Sequence, residues 1–414
     1  MNGQQFRNNS LLAELFRQEY PKMTAVLCRR FGLEHMEIAE DMISDAFLKA
    51  SEHWAVNGVP ENPAAWLYTV AKNKARDHLK HVSLFETRVA GNIKPEEGEN
   101  EPDFGFGSGY MEDSQLAMIF AVCDPDNSAE GQICLALQIL CGFSVEEIAN
   151  AFLTGLETIR KRLYRAKTRL RDSGFQIRTL SAASMQARLD TVLKTIYLLF
   201  NEGYFSKTND QLIRNELCAE AMKLAVILTD NPLTDTAQTK ALLALMCYQA
   251  SRLDARTAGT GEMILFEEQD QNLWNQELIE KGNYYLVNAC QDKQVSRYHL
   301  EAAIAYWHAH PAAPDRWQHI LKLYNQLILI EYSPIAALNR AFALAKVYGH
   351  EKAILETEKL KLVDNDQYHK LLGYLYEYVD AGKAIDHYRR ALQLTGASPA
   401  RLVLERKIER LTGI

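Results

Sequence analysis

A chain of 414 residues with 47% hydrophobic side chains has material for two to four packed domains, which excludes wholesale disorder. Its net charge of −7 excludes a protein that is basic throughout, so any contact with nucleic acid must come from local fields. With 11 Pro and 21 Gly, and long stretches lacking both, the composition points to an all-α protein.

In chain order, Met1 to Ser10 is polar and carries no apolar core or small-residue cleavage site, so it does not read as a secretory signal. No apolar run approaches the ~18 residues needed to span a bilayer, and no membrane contact is expected. The cysteines at 28, 123, 134, 141, 218, 247 and 290 show no paired spacing. They are expected to be reduced and buried, which fits a cytoplasmic location. Neither they nor the histidines have ligand spacing, so no metal and no cofactor are expected.

Residues 1–81 form the first expected helical unit. Glu34 to Trp54 reads as one amphipathic helix, with Ile38, Met42, Ala46 or Phe47, and Ala50 on its apolar side. Glu40, Asp41, Ser44, Asp45 and Lys49 form its polar side. Gly58 to Pro63 is a loop, and Pro63 stands where a new helix begins. In that helix Leu67, Val70, Ala71 and Leu79 are expected to face inward, and Tyr68, Lys72, Asn73, Arg76 and Lys80 outward. An aromatic ring among cations suits single-stranded nucleic acid, because bases stack while Lys and Arg hold phosphates. Trp66, beside a leucine-rich face, is expected in the core.

Residues 82–112 are rich in Gly, Pro and Glu and read as a flexible acidic linker. Residues 113–175 form a second small unit. Ser144-Val145-Glu146-Glu147 is a capping box that opens a short helix with Ile148, Ala149 and Phe152 on its apolar face. Leu153-Thr154-Gly155 makes a turn, and a second helix runs from about Leu156 to Arg171. Leu156, Ile159, Leu163, Ala166 and Leu170 form its buried stripe. The opposite face carries Glu157, Thr158, Lys161, Tyr164, Arg165 and Thr168. Arg160, Arg162, Lys167, Arg169 and Arg171 flank it, leaving a local charge of +6 in an acidic chain. A capped helix, a turn and a basic amphipathic helix make a helix-turn-helix arrangement, whose second helix can enter a major groove.

The remainder is expected to be helical, with a connecting domain at 180–290 and helical repeats at 291–414. Ala341, Ala353, Thr357 and Leu360 follow Pro334 at spacings like those of a tetratricopeptide unit. Gly373, Tyr376, Ala384, Tyr388 and Ala391 echo them, and Ile320, Tyr324 and Leu327 suggest an earlier unit. The carboxylates Glu202, Glu267, Glu268 and Asp270 are expected to serve helix caps and ion pairs, so no catalytic residue and no enzyme activity are expected.

The order of these parts resembles the extracytoplasmic-function subfamily of sigma-70 factors of bacterial RNA polymerase. Ala39 to Ala50, Asn62 to Tyr68 and Lys72 to Asp77 are similar to its region 2, and Ser144 to Arg171 to its region 4. Tyr197 to Tyr204, Glu267 to Asp270 with Trp274, and Ala336 to Ala341 resemble the subgroup with a tetratricopeptide-like C-terminal extension. The resemblance implies a protein that binds core RNA polymerase, at the largest-subunit clamp helices and the flap region, and directs it to promoter DNA. It implies that Asp41, Asp45 and Phe47 dock on the clamp helices. Asn62, Tyr68, Lys72, Asn73, Arg76 and Lys80 would open and read the −10 element. Glu157, Thr158, Arg160, Lys161, Tyr164 and Arg165 would read the −35 element as duplex. The extension would govern activity, with its repeat groove either holding a peptide or packing on the sigma domains. The rival reading is a helix-turn-helix regulator with a tetratricopeptide-like sensor, acting without replacing a sigma factor.

Overall fold

The computed structural model describes residues 2–90, 108–204, 211–256, 269–291, 294–395 and 399–413. All of the secondary structure among them is helical, in agreement with the expected class. The chain divides into two compact units, Met1–Thr234 and Asp235–Ile414. The division falls inside the segment 180–290 that the sequence suggests as one connecting domain.

The first unit opens with α1 (Asn2–Phe31), α2 (Met36–Asn57) and α3 (Pro63–Ala90). The expected helix from Glu34 starts two residues later, because Leu33–His35 forms a 3₁₀ turn. Gly32, at φ +98°, reverses the chain there in a conformation that L side chains rarely adopt, and its amide closes α1 on the Cys28 carbonyl at 2.8 Å. Met23, Val26, Leu27, Ile43, Ala46, Trp54, Leu67 and Ala71 are buried together between these helices. Each large aliphatic residue there stabilises the unit by about 2–5 kcal/mol relative to Ala.

α4 (Ser108–Val122), α5 (Ala129–Leu135), α6 (Val145–Ala151) and α7 (Leu156–Asp172) follow, with a π-helical turn at Ala136–Leu140. Two helices thus encroach on the expected linker 82–112: α3 runs on to Ala90, the last residue before Gly91, and α4 begins at Ser108. Residues 91–107 lie outside the described residues. α8 (Ala182–Tyr204) and α9 (Gln211–Thr229) pair with each other and pack on α4, and α8 also packs on α5. Arg188 of α8 pairs with the buried Asp124 at 2.8 Å, and the Thr195 hydroxyl donates to Gln132 at 2.6 Å.

The second unit is a succession of helices, each packed on the next or on the next but one. They are α10 (Ala237–Ala250), α11 (Gln276–Ala289), α12 (Arg297–Ala309), α13 (Arg316–Ile330) and α14 (Pro334–Tyr348). Then come α15 (His350–Glu358), α16 (Asp366–Tyr376), α17 (Ala381–Leu394) and α18 (Pro399–Thr412). Of the residues picked out as repeat positions, Ile320, Leu327, Ala341, Ala353, Thr357, Gly373, Tyr376, Ala384, Tyr388 and Ala391 are buried, whereas Tyr324 and Leu360 are half-buried. Six of the seven cysteines are buried as expected, whereas Cys290, past the end of α11, is exposed.

Candidate nucleic-acid interface

Three faces of the first unit hold the residues singled out by sequence. The first is the outer side of α2. Asp41 and Asp45 are exposed one turn apart, and Leu48, 58% exposed, continues the same stripe. Asp45 accepts a hydrogen bond from Lys74 of α3, which holds its carboxyl below the usual aspartate range. Phe47 is not on this face. It is buried, edge-on to Phe16 with ring centroids 5.0 Å apart, because it falls on the apolar stripe with Ile43 and Ala50.

The second face is a groove of about 510 Å³ between α2 and α3. Trp66, Val56 and Val70 give it apolar surface, and Lys49, His53, Asn57, Asn73 and Lys74 give it polar surface. Trp66 is half-buried rather than interior, with its ring 5.5 Å from His53 and 5.5 Å edge-on to Trp54. Glu52 and Asp77 add two carboxylates, and the ring, amides and cations beside them can stack and hydrogen-bond an unpaired base. Of the predicted residues on α3, Asn73 lines this groove. Tyr68 is turned the other way: it is half-buried, and its hydroxyl donates to Glu19 of α1. Burial and Glu19 push its ionisation well above the usual tyrosine range. Lys72 and Arg76 are half-buried, and the Lys80 side chain lies outside the described ones. Asn62 caps α3, its side-chain oxygen accepting from the Ala65 amide at 3.0 Å.

The third face is α7. Ser144 and Glu147 form the capping box of α6, with reciprocal bonds of 3.1 and 2.7 Å. The turn that follows is made by Leu153 at φ +48°, a left-handed residue that is not glycine, while Gly155 takes the extended conformation at the head of α7. Ile159, Leu163, Ala166 and Leu170 are buried. Glu157, Thr158, Arg160, Lys161, Tyr164 and Arg165 are all exposed, on one side of the helix. Arg160 pairs with Glu157 at 2.6 Å, which offsets the one acid of the face.

Sequence reasoning missed the groove and the contacts that join these parts. The groove was visible as two stripes at helical spacing, Lys49, His53, Val56 on α2 and Trp66, Val70, Asn73, Asp77 on α3. The ion pairs of Arg17 and Lys167 bridge residues 130 and 127 apart, which no local pattern encodes. Among the described residues no group of histidine, cysteine and carboxylate side chains could hold a metal ion, and no helix is long and apolar enough to cross a membrane. Glu267 and Glu268 lie outside the described residues.

The first unit thus carries a capped helix, a turn and a helix with a basic exposed face, beside a groove between α2 and α3. Residues 15–83 match the sigma-70 region 2 family, and residues 188–290 match a family of unknown function, DUF6596. An uncharacterized protein of Rhizobium meliloti (strain 1021) is 32% identical over 388 residues, covering 92% of this chain and 91% of the relative. No solved structure matches. The chain belongs to the same family as that Rhizobium protein, and its residues 15–83 are similar to sigma-70 region 2.

Proposed function

We propose that this protein is a sigma factor of the extracytoplasmic-function type, acting in the cytoplasm. It binds core RNA polymerase and confers promoter-specific initiation, with no enzymatic step of its own. The observation that carries the proposal is the conjunction, in one chain, of a segment that matches sigma-70 region 2 and an exposed basic face on a capped helix-turn-helix. Asp41 and Asp45, with Leu48, present a polar stripe for the clamp helices. Phe47 acts from beneath by fixing α2 on α1. The groove around Trp66 and Asn73 holds unpaired bases of the −10 element. Tyr68 fixes α3 on α1, Asn62 sets the start of that helix, and Lys72 and Arg76 serve the −10 element from the same helix.

α7 enters the −35 major groove. Arg160, Lys161 and Arg165 pair with phosphates or guanine edges, Tyr164 makes apolar contact, and Glu157 and Thr158 lie where a helix N-terminus meets base edges. Residues 113–175 serve as region 4. The helices beyond 180, with the tetratricopeptide-like spacing of the second unit, control initiation.

The test is reconstitution. Purified protein added to core polymerase yields promoter-dependent transcripts, and a gel shift on promoter DNA requires polymerase. A tight shift on duplex DNA without polymerase, and no transcripts with it, would favour the regulator reading instead.

A further inference from the structure

Near the end of the second unit a chain of side-chain contacts joins α15, α16 and α17. His369 of α16 is buried, and its Nε2 lies 2.9 Å from the Val363 carbonyl in the turn before that helix. Its Nδ1 lies 3.0 Å from Nδ1 of His387 on α17, a half-buried residue. The His387 ring stacks on Tyr376 of α16, with centroids 5.5 Å apart and planes at 10°. The Tyr376 hydroxyl donates to Glu358 of α15 at 2.8 Å.

These distances fix where the protons sit. A carbonyl oxygen only accepts, so Nε2 of His369 carries a hydrogen. In the neutral ring Nδ1 is then a bare acceptor, and the hydrogen between the two rings belongs to Nδ1 of His387. Nε2 of His387 is left to take an added proton. A proton on Nδ1 of His369 would instead set two N–H groups against each other across 3.0 Å. The bond between the rings then has no acceptor, and α16 and α17 must part there.

The groups around the pair work against charging it. Burial holds His387 below the usual histidine range, and His369 and Lys383 of α17 act in the same direction. Glu358 of α15 and Asp386 of α17 oppose them without prevailing. From α16 come the rings of Tyr376 and of Tyr368, the latter edge-on to His369 at 5.2 Å, and burial pushes the ionisation of both upward. Asp364 of the turn is engaged by Arg390 at 3.6 Å. Lys346 of α14 bonds Tyr374, and Lys407 and Arg410 of α18 pair with Glu377.

We infer that the His369–His387 pair is a proton-sensitive clasp, which holds α17 on α16 while both rings are neutral and releases it as the surroundings turn acid. Its role rests on the reading in which the helices beyond 180 control initiation, and acidification is then a signal they answer to. A histidine depressed in the folded state stabilises above its unfolded value, near 6.5, and that contribution is lost as pH falls. The window therefore opens at about pH 6.5, well above the carboxylate range near 4.3.

The experiment is hydrogen exchange on full-length protein at about pH 7.5 and about pH 5.5, read by mass spectrometry over residues 366–394 and corrected for the intrinsic effect of pH. Protection in the parent should fall by about tenfold, the ratio of charged to neutral histidine one unit below its usual value. His369→Gln with His387→Gln can repeat both bonds with amides that do not titrate, and should keep its protection. His387→Phe keeps a ring on Tyr376 and frees Nδ1 of His369 for a proton, and should also lose the response. Circular dichroism shows which variants fold.

Equal protection at both pH values in the parent overturns the clasp, as does a response that persists in a folded variant. Initiation with core polymerase on a promoter template is compared between parent and variants at about pH 7.5 and about pH 6, on either side of the histidine value. A shift in the parent alone supports acid control. If protection responds and initiation does not, the clasp stands and control by the extension fails. If neither parent nor variants initiate, the sigma-factor reading fails, and exchange still decides the clasp.

Discussion

Gly373 of α16 faces the ring of Tyr388 of α17 so closely that a β-carbon on the glycine would lie 2.5, 2.6 and 2.9 Å from Cε1, Cδ1 and Cζ. The Tyr388 hydroxyl donates to Glu377, which also pairs with Lys407 at 3.2 Å and with Arg410 at 2.5 Å. The same device recurs in the same unit, where a β-carbon on Gly282 would meet the Tyr248 ring at 2.8 to 3.0 Å. Glycine is thus what lets the paired helices close on a buried ring.

Gly373→Ala should lower stability. Overpacking costs about 1–3 kcal/mol, and the better helix propensity of Ala returns about 1 kcal/mol. Urea unfolding followed by circular dichroism should show a net loss, and Tyr388→Leu in the same chain should recover part of it. A neutral Gly373→Ala would mean that the ring moves aside freely.

The acid limb of stability should depend on Glu377. Burial opposes its charge, but the Tyr388 hydroxyl, Lys407 and Arg410 outweigh burial and hold its carboxyl below the usual glutamate range. A depressed folded-state value stabilises above the unfolded value, near 4.3, and that contribution is lost as pH falls through the folded value. Melting temperature measured from pH 7 down to pH 3 should fall more steeply in the parent than in Glu377→Gln. Parallel curves would show that the carboxylate contributes no linkage.

Lys161→Ala with Arg165→Ala should leave the melting curve unchanged, since both side chains are exposed. Where these side chains read base edges, promoter-directed initiation should drop by about tenfold or more for each one truncated, at ~1–3 kcal/mol apiece. Where they pair with phosphates, the slope of log affinity against log salt should instead shrink by about 0.9 per cation. Undiminished initiation would remove α7 from promoter recognition.

Arg188→Met should leave Asp124, 2% exposed at its side chain, without its cation. Stranding a buried charge costs about 3–5 kcal/mol. Proteolysis should then release the α8–α9 hairpin from the helix-turn-helix side, with cleavage near residues 173–181. Arg188→Met paired with Asp124→Leu should regain much of the loss.

Ser144→Ala removes the acceptor for the Glu147 amide and should cost about 1 kcal/mol. Glu147→Gln should cost more than Ser144→Ala, because it weakens the bond to the Ser144 amide and the pair with Arg17 together. Equal losses would show that the pair with Arg17 contributes nothing to stability.

What the sequence made legible was local. The α6 capping box, the buried stripe and exposed face of α7, and the start of α3 at Pro63 follow from spacing within one or two helical turns. Gly373 and Tyr388 were likewise visible as repeat positions. Side-chain facing failed where two stripes were plausible. Phe47 and Tyr68 carry aromatic rings at positions a helical wheel leaves near the boundary, and packing on Phe16 and the bond to Glu19 turned both inward. Trp66 went the opposite way, because Trp54 already fills the interior at 1% exposure. The boundary after Thr234 was illegible, since α8 and α9 join the first unit through long-range pairs such as Arg17–Glu216, which lie 199 residues apart.

The engagement of Lys167 and Arg171 also bears on how a free molecule fares in a crowded nucleoid. Non-specific affinity for duplex DNA rises with the number of phosphates a surface neutralises, by an exponent of about 0.9 per cation in the salt dependence. With two of the basic side chains of α7 turned toward Glu40 and Glu37, the chain offers bulk chromosome a smaller cationic footprint than its sequence suggests. On the proposed sigma-factor function, fewer molecules would then be sequestered on random DNA, and more would remain in solution to meet polymerase.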